Sequence, residues 1–316
     1  MLCSVILTVH NRRETVERAL RTIVAQTHRP LEIVVVDNGS TDGSRELCAA
    51  MIEAEQEERG LSFQLLVQPR KGACAARNMG LRAATGEWVA FFDDDDEMSP
   101  DVVEEMHRAI ASSEEKNWGI TRTRLVMPDG SERVREGWKN ATLTDHLLGS
   151  LVSTQSILVR REWLLSLGGW DESLPVWNDY DLGALLFSND PHPFYVEGPF
   201  HRIYQHANSI TGTAPKQKTE GIIQVFLAIR RILDANSTHL RVTNYQKACL
   251  ALYRRSEIAA GHLRRDGDSS LAAHLLSSTR PLLPTSFWQR LLGRFLRTYT
   301  EFGGPGAWRM ARCGLR

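Results

Sequence analysis

Five consecutive carboxylates, Asp93 to Glu97, close the stretch GEWVAFFDDDDE and follow directly on an apolar, aromatic-rich run. Adjacent carboxylates repel and raise one another's pKa values, so such a cluster needs open water or a counter-charge. Hard divalent cations such as Mg²⁺ and Mn²⁺ take carboxylate oxygens and complete their shells with phosphates and waters. The alternative is a solvated acidic turn leading into the helix that Ser99-Pro100 opens, where acids favour the N-terminal end, and Glu97 belongs to that reading. Other residues with chemistry to offer stand apart from this run. Asp37 ends LEIVVVD, Lys71 and Arg77 lie in RKGACAARN, Asp179 and Asp181 lie in VWNDYDLG, and His206 lies in RIYQHANSIT. Trp170, Trp177 and Tyr180 place aromatic surface near Asp179 in the sequence, although such rings build cores equally often.

The elements that must position these groups alternate. Cys3 to Val9 is a short β-rich apolar run, and Val16, Ala19, Leu20, Ile23 and Val24 recur at helical spacing within Arg12 to Gln26. Leu31 to Val36 predicts a buried strand ending at Asp37. The Ser/Thr/Asp-rich NGSTDGS then caps a helix from about Ser44 to Arg59. Phe63 to Val67, a small-residue helix over Ala73 to Ala84, and a strand over Glu87 to Phe92 continue the pattern. Such alternation predicts right-handed crossovers and a mostly parallel sheet, with ligands at the carboxyl ends of the strands, where Asp37 and the Asp93 cluster fall. The stretch from Asp101 to Thr213 is less regular: a helix from Pro100 to about Ser113 and strands at Trp118 to Val126 and Ser156 to Val159. From Lys216 onward the spacing of Ile222, Val225, Phe226, Ile229 and Leu233 is helical.

With 316 residues, 42% hydrophobic and 24% charged, the chain has the composition of an ordinary soluble protein with a full core and a smaller appendage. Its formal net charge is zero, which gives no global field for nucleic acid. Cys3, Cys48, Cys74, Cys249 and Cys313 are odd in number and show no C-x-x-C spacing, so neither a disulfide framework nor a zinc site is expected. A reducing cytoplasm fits. No signal peptide is expected, since Met1 leads straight into a strand-like run, and no apolar stretch reaches bilayer-spanning length.

Taken in order, SVILTVHNRRETVERALRTIVAQT, LEIVVVDNGSTDGS, KGACAARNMGLRAATGEWVAFFDDDD and GGWDESLPVWNDYDLG resemble the family 2 glycosyltransferases, nucleotide-sugar-dependent inverting enzymes of the GT-A fold. The resemblance covers about the first 210 residues. It implies an α/β Rossmann-like domain over residues 1–214, with a nucleotide-sugar half (1–100), an acceptor half (101–214) and a helical C-terminal extension (215–316). It further implies that Asp93 and Asp95 hold Mn²⁺ or Mg²⁺, with Asp94 or Asp93 reaching the ribose. Thr8, His10 and Arg12 cradle the base and Asp37 accepts from its ring N–H, an acceptor-only role that suits a carboxylate. Where the family generally has Tyr, this chain has His10, which adds a titratable group. Lys71 and Arg77 meet the diphosphate or base edge. The match to the family's acidic motif makes Asp179 the general base, with Asn178 where relatives have Glu, and Trp170, Trp177, Asn178 and Tyr180 form the acceptor side. His206 matches a histidine used near metal and diphosphate, and its imidazole favours Mn²⁺.

The implied activity is metal-dependent transfer of a sugar from a nucleotide diphosphate-sugar, UDP-linked on family frequency, to a glycan or lipid-linked hydroxyl in surface polysaccharide synthesis. Three other classes compete, of which a haloacid-dehalogenase-type phosphatase would carry its D-x-D after the first strand, whereas this one follows the fourth. A sugar-nucleotide nucleotidyltransferase should carry a Gly-rich loop after the first strand, and TVHNRRET contains no glycine. A non-catalytic glycosyltransferase-like subunit finds its only hint in Asn178. After Pro281 the chain carries Arg290, Arg294, Arg297, Arg309, Arg312 and Arg316 against Glu301, and SFWQRLLGRFLRTYTEF predicts an amphipathic helix with arginines opposite an apolar stripe. Residues 286–316 are therefore expected to meet an anionic membrane surface on the inner face, or else to pack on the catalytic domain or, as a homodimer, on a second subunit.

Overall fold

The computed structural model describes residues 1–55, 60–111, 116–135, 139–205, 215–280 and 286–315. Along the chain run β1 (Cys3–Val9), α1 (Val16–Val24), β2 (Leu31–Asp37), α2 (Ser44–Glu55), β3 (Leu61–Val67), α3 (Ala73–Ala83), β4 (Trp88–Asp93), β5 (Glu97–Met98) and α4 (Val102–Ala111). There follow β6 (Trp118–Val126), β7 (Glu132–Val134), α5 (Leu143–Gly149), a 3₁₀ turn (Thr154–Ser156), β8 (Ile157–Arg160), α6 (Arg161–Ser166), α7 (Asn178–Asn189) and β9 (Phe194–Tyr204). The C-terminal helices are α8 (Pro215–Ala235), α9 (Val242–Arg265), α10 (Ser269–Thr279), α11 (Phe287–Glu301) and α12 (Ala307–Met310). Two compact units result, one of residues 1–139, 152–173 and 192–207 and one of 140–151, 174–191 and 208–316.

The first unit holds a single mixed sheet in the order β3-β2-β1-β4-β8-β6-β9-β5, with β7 on β6. Its first four strands are parallel to one another, and β8, β7 and β5 add antiparallel pairs. All seven residues of β1 and of β2 are buried, as expected of parallel strands covered on both faces. Helix α1 buries Val16, Ala19, Leu20 and Ile23, one stripe at helical spacing, into a core shared with Val5, Leu7, Ile33, Phe92 and Met106. On the other face, α3 approaches β1 so closely that a Cβ on Gly80 would lie 2.4 Å from Ile6 Cγ2. Because β2 and β3 lie to one side of β1 and β4 to the other, strand order reverses between β1 and β4. That is where an open α/β sheet parts to admit a ligand.

The second unit is helical. Helix α9 is its axis, packed by α5, α10 and α11, while α7 packs on α8. Inside it the fully buried Glu257 carboxylate accepts from Arg280 Nη2 at 2.8 Å, from Arg297 Nη1 at 3.1 Å and from Tyr253 Oη at 3.0 Å. Two guanidiniums and a hydroxyl thus satisfy a charge that burial would otherwise penalise.

Candidate functional site

Parallel register brings the first candidates together. Val9 is opposite Asp37, and Thr8 is opposite Val36 on one side and Asp93 on the other, so three strand ends converge at the point of reversal. The Asp37 carboxylate is buried and lies 3.2 and 3.3 Å from the Ser40 N–H, an Asx-type turn. Next to it, Asn38 Nδ2 donates to the carbonyls of Gln68 (3.1 Å) and Arg70 (2.9 Å), and its Oδ1 accepts from Gly72 N–H (2.9 Å). The loop after β1 joins the same frame, since Asn11 N–H donates to Ser40 Oγ (3.0 Å) and Arg12 N–H to Ser44 Oγ (2.9 Å). Three loops at the carboxyl ends of β1, β2 and β3 therefore hold one another.

Around the acidic run each carboxylate has a different environment. Asp93, half-buried, accepts from Arg77 Nη2 on one oxygen and from Gln155 Nε2 on the other, both at 2.8 Å. Arg77 itself is buried and stands 4.6 Å over the Trp170 ring, which meets Phe91 edge-on at 5.1 Å. The buried Asp94 accepts from the His10 N–H at 2.9 Å, and Arg12 Nε lies 3.7 Å from Asp94 and 3.6 Å from Asp95. Asp95 remains half-buried, and its carbonyl accepts from Arg18 Nη2 at 2.5 Å. Asp96, also buried, accepts from Tyr204 N–H at 2.9 Å on one oxygen and from Gln155 Nε2 on the other. Burial first, and then the neighbouring charges of Asp95 and Asp93, hold the Asp94 and Asp96 carboxyls well above the usual carboxylate range.

This donor set suits a hard divalent cation. Four carboxylates stand on one turn, and burial with their mutual repulsion raises two of them, a penalty that a divalent cation bound to the run would relieve. No group of three His, Cys, Asp or Glu closes into a cage among the described residues. An ion of the Mg²⁺ type characteristically takes one or two carboxylates and fills its shell from substrate phosphates and water.

The remaining candidates fall as follows. The side chains of His10 and Lys71 are exposed, with Lys71 beside Gly72, whose φ of 133° is open to glycine alone. Trp170 is buried beneath Arg77, where it braces the ion pair and presents no open ring face to a sugar. In the helical unit, Asp179 is half-buried in the first turn of α7, its Oδ1 2.9 Å from the Tyr180 N–H, next to half-buried Asn178. Trp177 precedes the helix in the left-handed region (φ 52°), half-buried, with Arg255 5.3 Å over its ring. Tyr180 is buried and donates its hydroxyl to the Leu147 carbonyl at 2.5 Å, so it too is a brace. His206 lies outside the described residues. Sequence reasoning missed Gln155, Asn38 and Arg18. Asn38 directly follows Asp37 in the turn and could have been suspected, whereas nothing local marks Gln155.

The family model described as "Glycosyl transferase family 2" matches residues 4–162, half of the chain. An uncharacterized glycosyltransferase of Nostoc sp. is 37% identical over 114 residues, 36% of this chain and 34% of the relative. A putative teichuronic acid biosynthesis glycosyltransferase, TuaG, of Bacillus subtilis is 27% identical over 168 residues, 51% of this chain and 63% of the relative. The matches thus span about a third of the first relative's length and less than two thirds of the second's. Among solved structures, S. aureus TarS 1–349 in complex with UDP-GlcNAc superposes with a TM-score of 0.75 over 98% of this chain and 90% of that one, at 17% identity. At that identity the likeness is one of fold: an α/β sheet flanked by helices, of GT-A type, followed by C-terminal helices.

Proposed function

The chain belongs to glycosyl transferase family 2, and from that premise we propose that it is a metal-dependent inverting glycosyltransferase, taking its sugar from a nucleotide diphosphate-sugar. The observation that carries this reading is the convergence of Thr8, Asp37 and the Asp93–Asp96 run at the reversal between β1 and β4. Residues 1–214 carry the catalytic groups, a span that includes the segments 140–151 and 174–191 of the helical unit, and the helices from 215 are an extension. A UDP-sugar donor is supported by the likeness in fold to a protein solved with UDP-GlcNAc, and a surface polysaccharide acceptor by the relation to TuaG.

Asp37 orients the base by accepting from its ring N–H, with His10 and Arg12 in the adjoining loop, and Asp94 reaches the ribose. Lys71 and Arg77 supply positive charge toward the diphosphate, Arg77 also fixing Asp93. Asp93 and Asp95 would hold a divalent cation, which supplies Lewis-acid stabilisation of the charge that develops on the leaving diphosphate. Asp179 removes the proton of the acceptor hydroxyl as that oxygen bonds to the anomeric carbon and the carbon–diphosphate bond breaks on the opposite face. Trp177 and Asn178 flank Asp179 on the acceptor side.

Two variants assayed together test the reading, with turnover of a UDP-sugar and calorimetric UDP binding in Mn²⁺ as readouts. Asp95→Asn should lose both turnover and Mn²⁺-dependent UDP affinity at an unchanged thermal midpoint. Asp179→Asn should retain UDP affinity while kcat falls about 10²- to 10⁴-fold, the usual reach of general-base catalysis. Parental, Mn²⁺-dependent affinity in Asp95→Asn removes the cation assignment, and joint loss of binding and rate in Asp179→Asn makes that residue structural.

A further inference from the structure

Helix α11 has two apolar faces, and the helical unit covers only one of them. Its packed face is Gly293, Leu296 and Thr300, all buried. Gly293 lets the helix sit so close to α9 that a Cβ there would lie 2.5 Å from Tyr253 Oη. The other face carries the bulk. Phe287 is 68% exposed, Trp288 74%, Leu291 47% and Phe295 50%, four of the eight large apolar side chains that stand exposed among the described residues. At about 100° per residue these four share one arc, turned away from the packed face. Arg290 and Arg294 border that arc, both exposed.

We propose that this face of α11 is a docking surface for an anionic lipid surface, with Phe287, Trp288, Leu291 and Phe295 entering the headgroup region and Arg290 and Arg294 meeting lipid phosphates. Leaving four large apolar side chains in water on one helix is unfavourable unless another phase or partner takes them. Charge selects the occupant. The helix's single acid, Glu301, is turned to Arg264 at 3.6 Å, and neither Arg290 nor Arg294 forms an ion pair among the described residues. A second copy docking through the same face would set one arginine rim against another, since a two-fold contact is self-complementary. An anionic bilayer supplies both missing components, apolar depth and negative charge. The contact is interfacial, because no described helix is long and apolar enough to cross a membrane.

Flotation of the full chain decides it, with vesicles of phosphatidylcholine alone and vesicles containing 30 mol% phosphatidylglycerol (about a third anionic lipid). Binding to the anionic vesicles alone, released by high salt, is expected. Arg290→Gln with Arg294→Gln should weaken it by about tenfold or more, as should Trp288→Ser with Phe295→Ser. All four side chains face solvent, so both double variants should keep the parental thermal midpoint. Failure to float with either lipid overturns the proposal, as does flotation that neither double variant reduces. A salt-resistant dimer seen by light scattering that Phe295→Ser dissolves also overturns it, in favour of a second copy.

Discussion

Gln155 carries no motif, yet its single amide nitrogen donates to Asp93 and Asp96 at once. It reaches the acidic run from the 3₁₀ turn before β8, some sixty positions further along the chain. With Arg77 on the opposite oxygen, it fixes the plane of the Asp93 carboxylate. Gln155→Leu should leave the buried Asp96 oxygen without its donor and let Asp93 turn, lowering kcat/KM about 10- to 100-fold, the scale of a misplaced reacting group. Gln155→Glu should fall further, because it adds a carboxylate to a site where burial and neighbouring charge already raise two carboxyls above the usual range. Steady-state kinetics with a UDP-sugar would show it, and parental kcat/KM in Gln155→Leu would remove Gln155 from the site. The acids themselves were legible from their number and place. Their separate environments were not, because adjacent residues on a turn face different neighbours that only the folded sheet supplies.

At the level of elements, apolar spacing located β1 to β4, β6, β8 and α1 to α4 of the first unit to within a few residues, since burial on both faces and on one face leaves distinct periods, whereas β5, β7, β9 and α6 were not foreseen. One boundary also differs instructively. Periodicity extended the first helix back to Arg12, whereas α1 begins at Val16, and the Arg12 N–H is taken by Ser44 Oγ from the neighbouring loop. Residues 12–15 belong to the frame that holds the acidic run. The small-residue character of α3 also has its reason in packing, because Gly80 lies against Ile6 of β1. Gly80→Ala gains helix propensity, yet its methyl would meet Ile6 Cγ2 at 2.4 Å, so a net loss of about 1–3 kcal/mol is expected from overpacking. Urea unfolding measures this, and an unchanged or raised midpoint would mean that Ile6 yields without cost.

For the molecule as a whole, His201 sets an expected acid sensitivity. It lies on β9 opposite Thr123 of β6 and Met98 of β5, 5.6 Å from the Phe92 ring, and neither ring nitrogen has a hydrogen-bond partner among the described residues. Burial pushes its pKa down to about 3. An unfolded chain takes up the proton near pH 6.5 while the native one does not, so the unfolded state binds more protons between those values. Stability from this group is therefore complete above about pH 6.5 and lost as pH falls toward 3, at up to about 1.4 kcal/mol per pH unit. The difference in unfolding free energy between the parent and His201→Leu, measured from pH 7.5 to pH 5, should carry that slope. Parallel profiles would show that the imidazole stays hydrated in the native state.

By itself the sequence determined the alternation of strand and helix, the strand ends at which Asp37 and Asp93 stand, and the likeness to family 2, because period, turn chemistry and motif are local properties of the chain. Only the tertiary structure decided that Asp94 and Asp96 are buried while Asp95 is half-buried, that Trp170 and Tyr180 are braces, and that Gln155 joins two acids. The same holds for α11. Its spacing announced an apolar stripe opposed by arginines, but packing divided that stripe: Leu296 is buried, Arg297 turns inward to Glu257, and Phe287, Trp288 and Phe295 remain in solvent beside Arg290 and Arg294. A period records which residues share a face, whereas the cover on that face comes from residues distant in sequence.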